Sequence, residues 1–180
     1  MAATIKLKYL TDKIKARAIK ETVTELNEND QACVIFSTYK EGLYNLANDL
    51  KEFNPLVLTG DVAKSEQRQG IIKSFQEDAW SNVLMGTVQA LGTGYTLTRS
   101  QYVLFLNKSC VVGENEQAED RCHRIGTNGN VSIITYVVRN TIDERVEEIL
   151  RNDKMYIDKV IDGVPIFKNE SSVWDILLGD

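Results

Sequence analysis

The sequence predicts an α/β domain in which a mostly parallel central sheet is flanked by helices on both faces. Its apolar runs are short, continuous and rich in Val, Ile, Leu and Phe, as expected for strands buried on both faces. These runs occupy residues 32–36, 56–58, 83–85, 102–106 and 131–138. Amphipathic stretches separate them, and strands that alternate with helices favour a parallel sheet covered on both sides.

The helices are predicted from the spacing of apolar residues. Before the first strand, Ile14, Ala18, Ile19, Val23 and Leu26 predict a helix with one core-facing side. Similar spacing recurs from Leu43 to Leu50, from Ile71 to Phe75 and from Ile142 to Leu150. Together these elements predict one domain over residues 1–162, without an internal boundary.

The end of the domain is marked by its last helix. Thr141 is the expected N-cap, with Glu144 three residues on completing a capping box. The helix is expected to run to about Ile161, and the Asp162-Gly163 pair predicts its stop. Residues 163–180 form a tail that could dock as a short helix through four apolar residues: Val173, Trp174, Ile176 and Leu177.

Composition and charge narrow the function classes. With 43% hydrophobic residues in 180, the chain fits one globular domain, and no apolar run approaches the roughly 18 residues of a membrane span. The N-terminus lacks the apolar stretch of a signal peptide, so a cytoplasmic location without a membrane partner is expected.

The net charge of −5 argues mildly against nucleic-acid binding. The basic residues among positions 1–20 are either a solvated helix face or phosphate contacts, and the sequence leaves both open.

Ligands of open parallel sheets bind beyond the carboxyl ends of the strands. The chain contains no G-x-x-x-x-G-K-[ST] phosphate loop and no acidic cluster typical of a magnesium site, so no metal ligand is predicted. Gly92 and Gly94 surround one residue and permit close backbone approach to a ligand. The hydroxyls of Ser37, Thr38 and Thr87 suit phosphate contacts. Each of these signals, taken alone, more often reflects a structural turn or cap than a ligand contact.

The strongest local signal is the segment QAEDRCHRIG at residues 117–126. Arg121 and Arg124 are three residues apart and would share one face of a helix. Two neighbouring guanidinium groups repel each other unless an anion or a carboxylate lies between them. Either a bound anion or the side chains of Glu119 and Asp120 could meet that need.

QAEDRCHRIG matches the motif Q-A-x-D-R-x-H-R-I-G of Swi/Snf-type superfamily-two helicases at every fixed position. Residues 90–109, ALGTGYTLTRSQYVLFLNKS, resemble the glycine-rich motif that precedes it in these helicases. Residues 34–50 resemble the first motif of the second of the two RecA-like lobes that such helicases contain. The resemblance covers about residues 10–160. Leu91, Tyr95, Thr96 and Thr127 depart from the usual pattern, which suggests a divergent branch related to phages or mobile elements.

The resemblance implies a three-layer RecA-like fold and the role of a second, C-terminal lobe in an ATP-dependent DNA translocase or helicase. Arg121 and Arg124 would then be catalytic arginine fingers, and the ATP-binding residues would be Gly92, Gly94, Gln117, Asp120, Arg121 and Arg124. Ser37, Thr38 and Thr87 would contact DNA, with double-stranded DNA expected.

The partner implied by the resemblance is an N-terminal RecA-like lobe of the same protein. That lobe would hold most of the ATP and Mg²⁺, so the chain is expected to be an excised fragment that is inactive alone. Two alternatives are a non-catalytic RecA-like binding module and a small-molecule enzyme on a flavodoxin-like sheet. The latter lacks a recognisable nucleophile or base, and a companion segment with a phosphate loop would exclude the former.

Overall fold

The computed structural model describes residues 2–77, 80–92, 94–124 and 129–161. A five-stranded sheet has the order β2-β3-β1-β4-β5. Its strands are β1 (Cys33–Ser37), β2 (Leu56–Leu58), β3 (Val83–Thr87), β4 (Tyr102–Phe105) and β5 (Ser132–Thr135). Every neighbouring pair is parallel, and each strand overlaps one of the predicted apolar runs. The predicted parallel sheet is therefore confirmed.

Helices cover both faces of the sheet. They are α1 (Ala2–Glu28), α2 (Lys40–Asp49), α3 (Ser65–Glu77), α4 (Val88–Leu91), α5 (Val112–Glu119) and α6 (Ile142–Ile161), with a short 3₁₀ helix at Lys51–Phe53. Alternate residues of β1 point to opposite faces. Val34 and Phe36 pack with residues of α3, α4 and α5, whereas Cys33 and Ile35 pack with residues of α1 and α2. The resulting three layers confirm the RecA-like prediction.

The register of the central strands brings their carboxyl ends together. Ser37 of β1 is paired with Thr87 of β3, and Phe36 is paired with Phe105 of β4. Residues that follow β1 and β3 therefore leave the sheet side by side. This edge is the one at which the sequence predicted ligand contacts.

The first half of α1 corrects the prediction of its core face. Ile19, Val23 and Leu26 are buried as predicted, but Ile14 is 61% exposed and Ala18 is also exposed. Their place toward the interior is taken by polar residues, since Thr11, Asp12 and Lys15 are all buried. Apolar periodicity could not reveal this, because the buried residues are polar.

Lys15 is the centre of a buried polar cluster that joins three elements. Its Nζ lies 3.1 Å from Asp143 Oδ2 at the start of α6 and 3.6 Å from Asp12 Oδ1. It also donates to Asn107 Oδ1, directly after β4, at 3.0 Å. Asn107 in turn donates from Nδ2 to Asp12 at 2.9 Å. Lys15 therefore belongs neither to a solvated helix face nor to an exposed phosphate-binding surface.

The start of α6 is close to the predicted capping box. Thr141 Oγ1 accepts from the backbone N–H of Asp143 at 3.2 Å, as expected of an N-cap. Glu144 reaches back one residue further than predicted and accepts from the N–H of Asn140 at 2.9 Å. The helix extends to Ile161 as predicted. The predicted stop at Asp162-Gly163 and the tail lie outside the described residues.

Candidate functional site

The glycine-rich segment, residues 92–96, has backbone geometry that favours glycine at positions 92 and 94. The N–H of Gly92 donates to Val88 O at 2.8 Å, and a Cβ at Gly92 would lie 2.3 Å from that oxygen. Gly94 has a φ of +82°, in the left-handed region that favours glycine. Thr93, between them, lies outside the described residues. The crowding at Gly92 and the positive φ of Gly94 each favour glycine at these two positions.

Arg121 and Arg124 lie beside this segment. Arg121 Nε donates to the carbonyl oxygen of Gly92 at 2.9 Å, and the carbonyl of Arg121 accepts from Leu97 N at 2.8 Å. Arg124 Nη1 donates to Thr96 Oγ1 at 3.0 Å. The two arginines therefore contact the glycine-rich segment near its beginning and near its end.

The predicted helical setting of the two arginines is wrong. The helix α5 ends at Glu119, with Asp120 as its C-cap. Residues 120–124 continue in turns, in which Arg121 N donates to Ala118 O at 3.2 Å and His123 N donates to Glu119 O at 3.1 Å. Residues 120–124 are called the arginine turn below. The arginines are brought together by this turn and by the glycine-rich segment, not by one face of a helix.

The two other predicted ATP-binding residues, Gln117 and Asp120, lie on or next to α5. Gln117 is exposed, and its Oε1 lies 3.9 Å from the position that a Cβ on Gly92 would occupy. Asp120 is exposed at the end of the helix. Burial raises the pKa of the neighbouring Glu119 carboxyl, against the opposing effect of Lys108. The partner that the structure gives the Arg121 guanidinium is a neutral carbonyl rather than either carboxylate.

A second feature is a groove of about 310 Å³ at the carboxyl ends of β1, β2 and β3. We call it the strand-end groove, and it is lined by Thr38, Lys40, Gly60, Asp61, Arg68, Thr87, Gln89 and Ala90. Thr38 Oγ1 is buried and has no hydrogen-bond partner among the residues that the structure describes. Thr87 caps α4 by accepting from Ala90 N at 3.2 Å. The structure thus brings two of the three predicted DNA-contacting residues into one groove.

Ser37 lies outside the lining of this groove. Its side chain is fully buried, its Oγ accepts from Tyr39 N at 3.1 Å, and it lies 3.4 Å from Asn107 Nδ2. These contacts fix the turn that follows β1. Ser37 therefore stabilises the backbone turn next to the groove and does not line the groove itself.

None of the charged residues of the groove was among the predicted site residues. Lys40 Nζ lies 2.9 Å from Asp61 Oδ1, and Tyr44 Oη donates to Asp61 Oδ2 at 3.1 Å. Arg68 donates from Nε to Val62 O at 2.8 Å and from Nη2 to Thr59 O at 3.3 Å. The available signal was the position of Gly60-Asp61 directly after a predicted strand.

The parallel sheet with helices on both faces and a glycine-rich turn at its carboxyl edge defines a RecA-like α/β lobe. The family of helicase conserved C-terminal domains matches residues 14–126 of the chain, and the chain belongs to that family. The predicted resemblance to the second lobe of Swi/Snf-type helicases is thereby confirmed.

Individual relatives agree with this assignment. The chain is 31% identical over 153 residues to the ATP-dependent helicase fft3 of Schizosaccharomyces pombe, covering 84% of this chain and 16% of that protein. It is 25% identical over 158 residues to the chromatin-remodeling ATPase INO80 of Candida glabrata, covering 87% of this chain and 11% of that protein. The chain therefore spans about a sixth or less of the length of these curated relatives.

A solved structure supports the fold. The crystal structure of the C-terminal part of the Fun30 ATPase domain superposes with a TM-score of 0.69 and 22% sequence identity. The match covers 84% of this chain and 55% of that chain. Within the described part of this chain, no helix is long and apolar enough to cross a membrane.

Proposed function

We propose that this chain is the second lobe of an ATP-dependent DNA translocase or helicase, with the lobe proper at residues 1–162 and a tail at 163–180. In this proposal Arg121 and Arg124 act on ATP bound to a first RecA-like lobe, which also holds Mg²⁺. Relatives named as ATP-dependent helicases support the use of ATP.

The observation that carries the proposal is the contact between the arginine turn and the glycine-rich segment. Arg121 is held by a neutral carbonyl oxygen, so its positive charge is not cancelled by that partner. Guanidinium groups form a planar fork of donors that fits phosphate oxygens. Gly92, Gly94, Gln117 and Asp120 would shape the cleft against the first lobe.

The DNA contacts are assigned to the strand-end groove. The hydroxyls of Thr38 and Thr87 and the ammonium group of Lys40 would meet the backbone of double-stranded DNA. Ser37 would orient Thr38 through the Tyr39 turn. Hydroxyl and ammonium groups bind backbone phosphates without reading base sequence, which suits a protein that moves along DNA.

The proposal predicts that the isolated chain hydrolyses ATP no faster than background. Phosphoryl transfer depends on a phosphate loop and on magnesium-binding carboxylates, and the sequence contains no such loop. The measurement is steady-state phosphate release by highly purified chain, beside the Arg121→Ala variant. Turnover by the wild-type chain that disappears in the variant would show a complete active site and overturn the half-site proposal.

A further inference from the structure

Lys40 and Asp61, which both line the strand-end groove, form an ion pair. Lys40, the first residue of α2, places its Nζ 2.9 Å and 3.2 Å from the two carboxylate oxygens of Asp61. Both side chains are about half exposed, at 51% and 50%. The ammonium group that a phosphate in this groove would meet therefore already has an anionic partner.

The carboxylate of Asp61 is fixed more firmly than an ordinary surface side chain. Tyr44 Oη lies 3.1 Å from Asp61 Oδ2 and 2.8 Å from Thr59 Oγ1, and the N–H of Asp61 donates to the same Thr59 oxygen at 3.3 Å. The hydrogen bonds from Lys40 and Tyr44 lower the pKa of Asp61, so it is ionised at neutral pH.

Arg68 holds the loop that carries Asp61 from its other side. Its guanidinium donates to the carbonyl oxygens of Val62 and Thr59, which flank Gly60-Asp61. Because both contacts are to the backbone, Arg68 fixes the position of the loop. The result is a negative charge fixed in the same groove as Lys40 and Thr38, whose buried hydroxyl lacks a hydrogen-bond partner within the described part of the chain.

We propose that Asp61 competes with the DNA backbone phosphate for Lys40 and thereby limits the affinity of this lobe for DNA. The inference rests on the proposed role of the groove in DNA binding and adds a specificity-determining residue to it. A phosphate that enters the groove must separate Lys40 from Asp61 and approach a fixed carboxylate. An exposed ion pair is weak enough to be exchanged for a phosphate contact.

The test compares the full chain with its Asp61→Asn variant in binding labelled duplex DNA. Asparagine keeps an oxygen for Tyr44 and removes the charge. The wild-type chain is expected to bind weakly, because its net charge is −5. Its binding should depend strongly on salt, because its contacts are to phosphates and release counterions. Asp61→Asn should tighten binding about fivefold at low salt and should steepen the slope of log affinity against log salt by about 0.9, one phosphate contact.

Two further variants make the result specific. Lys40→Ala should weaken binding strongly in the Asp61→Asn background and little in the wild type, because Lys40 is engaged by Asp61 only in the wild type. Glu21→Gln is the matched control. It removes the same charge from α1, where Glu21 pairs with Arg17 and both side chains are well exposed, so affinity should change less than about twofold.

The outcomes separate this inference from the proposed function. If Asp61→Asn and Glu21→Gln bind DNA alike while Thr38→Val weakens binding, the groove binds DNA and the competition by Asp61 is overturned. If no variant binds DNA at low salt, or if Thr38→Val and Lys40→Ala leave the affinity of Asp61→Asn unchanged, the DNA role of the groove itself fails. If Asp61→Asn melts early, Tyr44→Phe replaces it, and an affinity gain of smaller size is expected.

Discussion

Two basic regions of this molecule are built in opposite ways. Lys15 is only 3% exposed and is surrounded by Asp12, Asp143 and Asn107. In the arginine turn, Arg124 is exposed and Arg121 is half-buried; Arg121 donates to the carbonyl of Gly92, and Arg124 donates to the hydroxyl of Thr96.

The difference follows from the cost of removing charge from water. A buried ammonium group requires opposite charges and hydrogen bonds around it. The contacts of Lys15 therefore serve to hold α1, the loop after β4 and α6 together. A neutral carbonyl oxygen orients the Arg121 guanidinium group without cancelling its charge, so Arg121 retains the capacity to attract an anion. Mutations in the first region should therefore change stability, and mutations in the second should change chemistry.

The largest expected effect is that of Arg124→Ala on ATP turnover. In a protein reconstituted with a first lobe, the variant should lose about 10³–10⁵ in rate, the contribution typical of an arginine finger, or about 4–7 kcal/mol of barrier. DNA affinity should stay within a few-fold, since Arg124 lies outside the strand-end groove. The measurement is DNA-stimulated phosphate release, beside a melting curve for each variant.

Arg124→Lys is the matched comparison for this prediction. It keeps the charge and loses the planar fork, so it should also fail. A well-folded Arg124→Ala protein with more than about a tenth of wild-type turnover is incompatible with a finger of this size. Arg121→Ala should be similarly harmful, with an added loss of stability because Arg121 holds Gly92.

The next effect in size is the loss of stability on Lys15→Met. Methionine matches the length of the lysine stem but leaves Asp12 and Asp143 buried without their cation. Removing one partner of a buried ion pair costs about 3–5 kcal/mol, so the free energy of unfolding should fall by that amount. Urea denaturation of the chain, followed by circular dichroism, measures it.

Lys13→Met is the control for this prediction, because Lys13 is exposed on the same helix. Its effect should stay within about 0.5 kcal/mol. Equal losses in the two variants would mean that the carboxylates around Lys15 need no cation, and the contrast between the two regions would disappear.

This contrast also explains what the sequence could and could not predict. The strands and α6 were predictable because apolar runs and a capping threonine are local signals. Burial of Lys15 was not predictable, because two of the three residues that satisfy it, Asn107 and Asp143, are 92 and 128 positions away. Ile14 fits the helical spacing of the core residues but is exposed, since polar residues face inward in that part of α1.

The site was predictable to a similar extent. The motif indicated Arg121 and Arg124, and the glycine turn was identified from its composition. Their relation to each other was not predictable, because it depends on where α5 ends and on the hydrogen bond from Arg121 to Gly92. The charged groove residues Lys40 and Asp61 were missed because an exposed ion pair has no sequence pattern.

The smallest expected effect, that of Asp12→Asn, tests whether the two carboxylates around Lys15 are equivalent. Burial raises the pKa of Asp12 above its usual 3.8, although Asn107 and Lys15 oppose the shift. A carboxyl whose pKa is raised by folding binds its proton more tightly in the folded state. Its contribution to stability is therefore fully present below pH 3.8 and is lost as the pH rises through the folded-state pKa.

Asparagine imitates the protonated form of Asp12 and retains an oxygen that can accept from Asn107. Asp143 remains as the counter-ion of Lys15, at 3.1 Å. The variant should consequently change the free energy of unfolding by no more than about 1 kcal/mol at pH 7. Relative to the wild type, the variant should be more stable at pH 7 than it is at pH 4. Urea denaturation at both pH values gives the comparison. A variant that loses more stability at pH 7 than at pH 4 would show that the ionised Asp12 is held favourably by Lys15, with a folded-state pKa lowered rather than raised.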